Sequence, residues 1–156
     1  MNIIAATGHR PKKLGGYSKT IETRLFNLAL EYLRKARPTM AISGMALGWD
    51  MAFADACEEL GIPFIAAIPF IGQESVWPEQ SQERYKRLLT KAHRVHVVSD
   101  GQYMPFKMAL RNEWMVDSAS KIAALWDGSA GGTANCVAYA IGKGKPIDNL
   151  WERYQL

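Results

Sequence analysis

The stretch Ile122-Ala123-Ala124-Leu125-Trp126-Asp127-Gly128-Ser129-Ala130-Gly131-Gly132-Thr133-Ala134-Asn135 passes from an apolar run, through a turn of small residues, into the helical pattern Val137-Ala138-Tyr139-Ala140-Ile141. The apolar run reads as a buried strand and the residues after the turn as a helix. Such a turn presents backbone N–H groups at a helix N-terminus, where the unpaired donors and the helix dipole favour an anion. A phosphate-bearing ligand is the first expectation. A glycine-rich corner also lets two backbones pack closely with no ligand at all, so both readings stand on this stretch alone.

Working outward, apolar runs alternate with helical patterns along the whole chain, which predicts a βαβ series and a mostly parallel sheet. Strands are expected at about 2–7, 39–43, 63–68, 94–99 and 122–127, with a sixth at 146–150. Ile21, Leu25, Leu28 and Tyr32 recur at helical spacing, with Ser18 or Thr20 as the N-cap. A second helix is expected over 48–60, closed by Gly61 and Pro63. Others are expected from about Pro78 to Ala92, from Phe106 to Ala119 and from Thr133 to Ile141. These expectations define an α/β fold: a doubly wound sheet of five or six strands with helices on both faces, in a single domain over residues 1–156.

Composition restricts the class further. A chain of 156 residues with 48% hydrophobic and 22% charged residues has a core large enough to do without disulfide or metal staples. The N-terminus lacks a basic, apolar leader, and no apolar run approaches the ~18 residues a membrane span needs, so a cytoplasmic protein with no membrane partner is expected. Cys57 and Cys136 lie in different helices with no Cys-x-x-Cys, and His93 and His96 have no ligand partners. Neither a metal nor a resident cofactor is expected. The net charge of +4 raises nucleic-acid binding. The basic residues are scattered, however, apart from Arg84 to Arg94, which reads as a solvated helix face, and Arg10, Lys12 and Lys13, beside a glycine turn where a small anion explains them as well.

In an open parallel sheet, ligands bind beyond the carboxyl ends of the strands where the strand order reverses. Four loops fall there: Thr7 to Pro11, Ser43 to Asp50, Pro69 to Glu74 and Asp127 to Asn135. Gly8 allows a sharp turn, and Pro11 biases Arg10 to an extended conformation from which it can clamp a phosphate or carboxylate. His9 can donate to the same anion or to a ribose hydroxyl, or simply hold the turn. Ser43, Gly44 and Gly48 resemble a second cradle, with Asp50 in the first turn of the helix that follows, either stabilising its dipole or meeting ribose hydroxyls. Arg111, flanked by Leu110 and Trp114, is a cleft residue or a snorkelling surface residue, and composition favours the surface. Trp49, Trp77 and Trp126 border the same edge, as core residues or as aromatic walls for a base. Met104, Phe106, Met108 and Trp114 surround one helix and suggest a homo-oligomer patch.

The ordered series Gly8-His9-Arg10-Pro11, Ser43-Gly44-Met45-Ala46-Leu47-Gly48-Trp49-Asp50, Pro69-Phe70 with Gln73, Glu74 and Trp77, Arg111-Asn112, Leu125-Trp126-Asp127-Gly128 with Gly131-Gly132-Thr133, and Gly144-Lys145-Pro146-Ile147 resembles the YpsA-like branch of the SLOG superfamily. That superfamily also holds the Lonely Guy phosphoribohydrolases and the DprA DNA-processing proteins. The resemblance implies a Rossmann-like domain that binds nucleotides or nucleotide-derived ligands. It makes Gly131, Gly132 and Thr133 the phosphate turn and Arg111 the counterpart of the Lonely Guy arginine. Together with the loop reading above, the expected ligand contacts are Gly8, His9, Arg10, Ser43, Gly44, Met45, Gly48, Asp50, Phe70, Gln73, Asn112, Asp127, Gly128 and Asn135. Enzymatic members carry acidic residues two and three positions after the threonine, where this chain has Asn135 and Cys136. Neither can hold the negative charge that stabilises an oxocarbenium-like transition state. The expectation is therefore binding, whether sensing, sequestering or presenting the ligand. The alternative is an N-glycosidase using Glu74 or Asp50 as its acid, and single-stranded nucleic acid is the less favoured partner.

Overall fold

The computed structural model describes residues 1–155. Its strands are β1 (Ile3–Gly8), β2 (Met40–Ser43), β3 (Phe64–Ile68), β4 (Arg94–Val97), β5 (Lys121–Leu125) and β6 (Ile147–Asn149). The helices are α1 (Pro11–Leu14), α2 (Lys19–Ala36), α3 (Trp49–Leu60), α4 (Glu79–Lys91), α5 (Pro105–Ser118), α6 (Gly132–Gly142) and α7 (Trp151–Tyr154), with a 3-10 turn at Gln73–Val76. The sheet order is β4-β3-β2-β1-β5-β6 and every pairing is parallel. This is a Rossmann-like α/β fold, and the expected mostly parallel sheet is parallel throughout.

The period-two geometry of a strand sorts its side chains onto two faces. Ile4, Ala6, Ala41, Phe64, Ala66, Ala123 and Leu125 join one cluster with Leu25, Leu28 and Leu33 of α2, Trp49 and Phe53 of α3, and Tyr85 and Leu88 of α4. Ala5, Ile42, Ala67 and Ile122 point the other way, against Met115 and Val116 of α5 and Cys136 and Ala140 of α6. The small residues of β1 and β5 let helices approach both sides of the sheet centre closely. Trp49 shows why: it is fully buried, its Nε1 donates to the Ala123 carbonyl at 3.2 Å, and its ring fills the space that a Cβ on Gly8 would occupy.

Several boundaries differ from the expected ones for local reasons. The short helix α1 was not expected; Pro11 opens it, where a missing N–H costs nothing, and Gly15 closes it with φ of 109°. Ser18, rather than Thr20, caps α2 by accepting from the Ile21 N–H at 3.2 Å. Strand β5 ends at Leu125, where the Trp126 N–H donates to the side chain of Asn149 in β6 rather than to a backbone carbonyl. Edge strand β4 is shorter than 94–99 and only partly covered. The basic stretch on α4 is tied to α3: Arg84 bonds Asp55, and Arg87 reaches Asp55 and Glu58 at 2.9 and 2.8 Å. Both cysteines are free thiols and buried. Among the described residues, no helix is long and apolar enough to cross a membrane, and no three His, Cys, Asp or Glu side chains gather as metal ligands.

Candidate functional site

Strand order reverses at β1, which has β2 on one side and β5 on the other. The loops leaving β1 and β5 therefore part company and leave a crevice above the sheet. A chamber of about 440 Å³ occupies it. The N-terminus of α6 forms one wall. Gly131 precedes that helix with φ of 141°, no side chain caps it, and its carbonyl accepts the first helical bond, from the Asn135 N–H at 3.0 Å. The N–H groups of Gly132, Thr133 and Ala134 consequently have no acceptor within the helix. No acidic residue occupies the first turn.

Opposite that turn stand Arg10, Lys12 and Lys13, from the end of β1 and from α1. Lys13 spans the gap, its Nζ donating to Ser129 Oγ at 2.6 Å and to the Ala130 carbonyl at 3.2 Å. The β5–α6 loop has its own brace. The Asp127 N–H donates to His9 Nε2 at 3.0 Å, and Asp127 Oδ1 lies 2.8 Å from the same nitrogen. One ring nitrogen cannot accept from the N–H and donate to the carboxylate together, so the proton on Nε2 selects between the two contacts. Ser129 also donates to Asp127 through its hydroxyl and its N–H, and these bonds, followed by the contact with His9, hold the Asp127 carboxyl well below the usual carboxylate range. His9 and Asp127 thus shape the loop that carries the glycine turn.

The floor of the chamber is charged. Arg111 and Asp50 are each only 5% exposed. Arg111 donates to the Gly44 carbonyl at 2.6 Å and to Asn112 Oδ1 at 2.8 Å. Both Arg111 and Asp50 press against Gly44, where a Cβ would fall 2.7 Å from the guanidinium and 2.9 Å from the carboxylate. Asp50 Oδ1 is buried without a partner. Burial pushes the Asp50 carboxyl up to about 6, against the opposing pull of Arg111, the Ala46 backbone and Arg10, and it lowers the Arg111 guanidinium from its ordinary value. Composition placed Arg111 at the surface; the fold places it in the floor, because α5 packs on β1 and β3 and its Arg111 reaches the Gly44 carbonyl just past the end of β2.

Of the residues singled out from sequence, Gly8, His9, Arg10, Asp50, Arg111, Asn112, Gly131, Gly132 and Thr133 line this chamber. Phe70 and Gln73 line an adjoining one. Ser43, Met45 and Gly48 lie beneath: Ser43 Oγ donates to the Asp50 carbonyl at 2.7 Å and accepts from the Met45 N–H at 3.1 Å, and Gly48 packs on the His9 carbonyl. Gly128 and Asn135 are exposed, and neither they nor Glu74 and Asp127 line either chamber. Thr7, Lys12, Lys13, Ala46 and Met108 line the first chamber without having been assigned to the site. The lysines had a signal, their clustering beside Gly8, and Thr7 and Ala46 had their place in the carboxyl-edge loops; Met108 had none. Of the tryptophans, Trp49 is core, Trp77 reaches the second chamber, and Trp126 donates from Nε1 to the Ser129 carbonyl at 2.8 Å.

A crevice at the strand-order reversal of an all-parallel, Rossmann-like sheet is where this class of fold holds its ligands. The sequence profile of the YpsA family, described as the YspA SLOG family, matches residues 4–148, and the chain belongs to that family. It is 33% identical over 136 residues to the SPbeta prophage-derived protein YoqJ of Bacillus subtilis (strain 168), covering 77% of this chain and 80% of YoqJ. Among solved structures it is similar in fold to DNA processing protein A (DprA) of Streptococcus pneumoniae, with a TM-score of 0.67 and 18% identity. That match covers 94% of this chain but about half, 49%, of DprA. It is likewise similar to the molybdenum cofactor carrier protein of Chlamydomonas reinhardtii, with a TM-score of 0.58, 16% identity, and coverage of 94% and 74%.

Proposed function

We propose that the chain binds a nucleotide or nucleotide-derived ligand at the carboxyl edge of the sheet, with a phosphate on the α6 N-terminus. The observation that carries the reading is the uncapped turn Gly131-Gly132-Thr133 facing Arg10, Lys12 and Lys13 across one chamber. Backbone N–H groups and cations converge there with no acidic residue in the helix's first turn. A turn of the Asp50 carboxyl would offer its buried, unpaired Oδ1 to a ligand hydroxyl in the chamber. Fold relatives include a carrier of a molybdenum cofactor, in keeping with holding a ligand rather than converting it.

Calorimetry against AMP, GMP and CMP tests this. Binding is expected to weaken about 10-fold in Lys13→Ala, the lower end for loss of a charge-assisted bond. Equal affinity in Lys13→Ala, or no binding by any of the three, counts against the site. The bound nucleotide is expected to be recovered intact, because the acidic positions of the phosphoribohydrolase motif are Asn135 and Cys136.

One observation favours the hydrolase alternative: Asp50 is a carboxyl lining the chamber whose proton is held to about pH 6, the property of a general acid. Release of free base, abolished by Asp50→Asn, would establish it. Glu74 lines neither chamber and is the weaker candidate.

We also propose self-association through the start of α5, where Met104, Phe106 and Leu110 are exposed apolar groups. The other two residues expected in that patch are partly withdrawn: Met108 lines both chambers, and Trp114 stacks on His96 at 4.0 Å. Light scattering is expected to give at least twice 17.4 kDa at micromolar concentration, and the monomer mass would overturn it.

A further inference from the structure

The phosphate chamber opens into a second one of about 520 Å³, with Arg10 and Met108 in the walls of both. The chemistry changes across that boundary. The second chamber is walled by Phe70, Trp77 and Tyr103, with Ile71 and Val76 left 77% and 88% exposed. Phe70 and Tyr103 meet edge to face at 5.9 Å, and Trp77 is set edge-on against Tyr85 at 5.2 Å. The loop carrying Tyr103 is anchored: Lys107, only 5% exposed, donates to the carbonyls of Asp100 and Gln102, and its Nζ lies 5.8 Å from the Phe70 ring.

One buried polar side chain belongs to this wall. Gln73 is 4% exposed; its Nε2 donates to the Gly44 carbonyl at 3.3 Å and to Tyr85 Oη at 3.2 Å, while its Oε1 is buried with no donor. A buried acceptor left unpaired is costly. A small turn of the amide towards the chamber would offer that oxygen to a ligand N–H.

We infer that the second chamber takes the heteroaromatic ring of the ligand, a planar ring bearing an N–H donor that Gln73 reads. The inference rests on the nucleotide reading above and deepens it. Each chamber alone falls within the size range of small-molecule sites, and their union is long, anion-binding at one end and aromatic at the other. A nucleotide has that shape and that polarity. Arg10 stands where the sugar joins the two ends, and the ring lies against the exposed Tyr103 and the apolar groups beside it.

The test compares AMP and GMP with ribose 5-phosphate, which lacks the ring, and with purine riboside 5′-monophosphate, whose ring has no N–H donor. AMP or GMP is expected to bind at least about 10-fold more tightly than ribose 5-phosphate, the scale of one base–aromatic contact. Tyr103→Ala, at an exposed position, is expected to erase that advantage while leaving ribose 5-phosphate binding unchanged. Gln73→Leu is expected to remove the preference for AMP over the purine riboside. Equal binding of the nucleotides and ribose 5-phosphate, or full nucleotide affinity in Tyr103→Ala, would overturn the ring site while leaving the phosphate site standing. Failure of all four compounds to bind would sink the nucleotide reading and this inference with it.

Discussion

Arg111→Met is expected to lower the unfolding free energy by about 3–5 kcal/mol and to abolish ligand binding. The guanidinium is buried, and two acceptors, the Gly44 carbonyl and Asn112 Oδ1, depend on it for short bonds at 2.6 and 2.8 Å. Gln73 Nε2 reaches the Gly44 carbonyl only at 3.3 Å and cannot replace the lost charge-assisted bond. Removing the cation also takes away the charge that offsets the desolvation of Asp50. The Asp50 carboxyl should then take up a proton at higher pH, so the loss is expected to be larger at pH 8 than at pH 5. Adding Asp50→Asn should recover part of the stability without recovering binding, because it removes the stranded charge but restores neither bond. Urea denaturation of the two single variants and the double variant at both pH values measures this. A loss under 1 kcal/mol at pH 8 would show that Arg111 is a surface residue in solution.

That expectation marks the limit of what the sequence told. The βαβ order was legible because it depends on short-range patterns: alternating apolar runs, the Ile21 to Tyr32 periodicity, and the stop at Gly61 before Pro63. The carboxyl-edge loops followed from that order by the switch-point rule alone. The glycines were legible as necessary but not as to why. Gly8 yields to the Trp49 ring, and Gly44 yields to Arg111, 67 positions along the chain. A reading of neighbours cannot see such a contact. The same holds for α1, whose four residues are too few to show a period, and for Lys107, an ordinary lysine in sequence that is buried under two carbonyls. Glu74 looked like a chamber acid because its loop is at the right edge. The 3-10 turn at Gln73–Val76 instead brings Gln73 to the wall and leaves Glu74 out of both chambers.

The ligand-free protein is expected to gain stability through Asp50 as the pH falls from 7 to 4. In the folded chain burial raises this carboxyl from 3.8 to about 6, so between those values the folded state holds a proton that the unfolded state has lost. Where the folded state binds more protons, unfolding free energy rises as pH falls, and it does so at about 1.4 kcal/mol per pH unit across the window. The full contribution is about 3 kcal/mol, present below pH 4 and lost above pH 6. Asp127 acts in the opposite direction, because its folded-state carboxyl is depressed and its contribution disappears in acid. The difference between wild type and Asp50→Asn isolates the Asp50 contribution, since the amide stays neutral at every pH and leaves Asp127 untouched. Asp50→Asn should therefore gain about 3 kcal/mol on wild type between pH 4 and pH 7, by denaturant titration in steps of half a pH unit. Parallel curves for the two proteins would mean that Asp50 titrates as an ordinary exposed carboxylate, and its candidacy as a proton-bearing acid in the chamber would fall with that result.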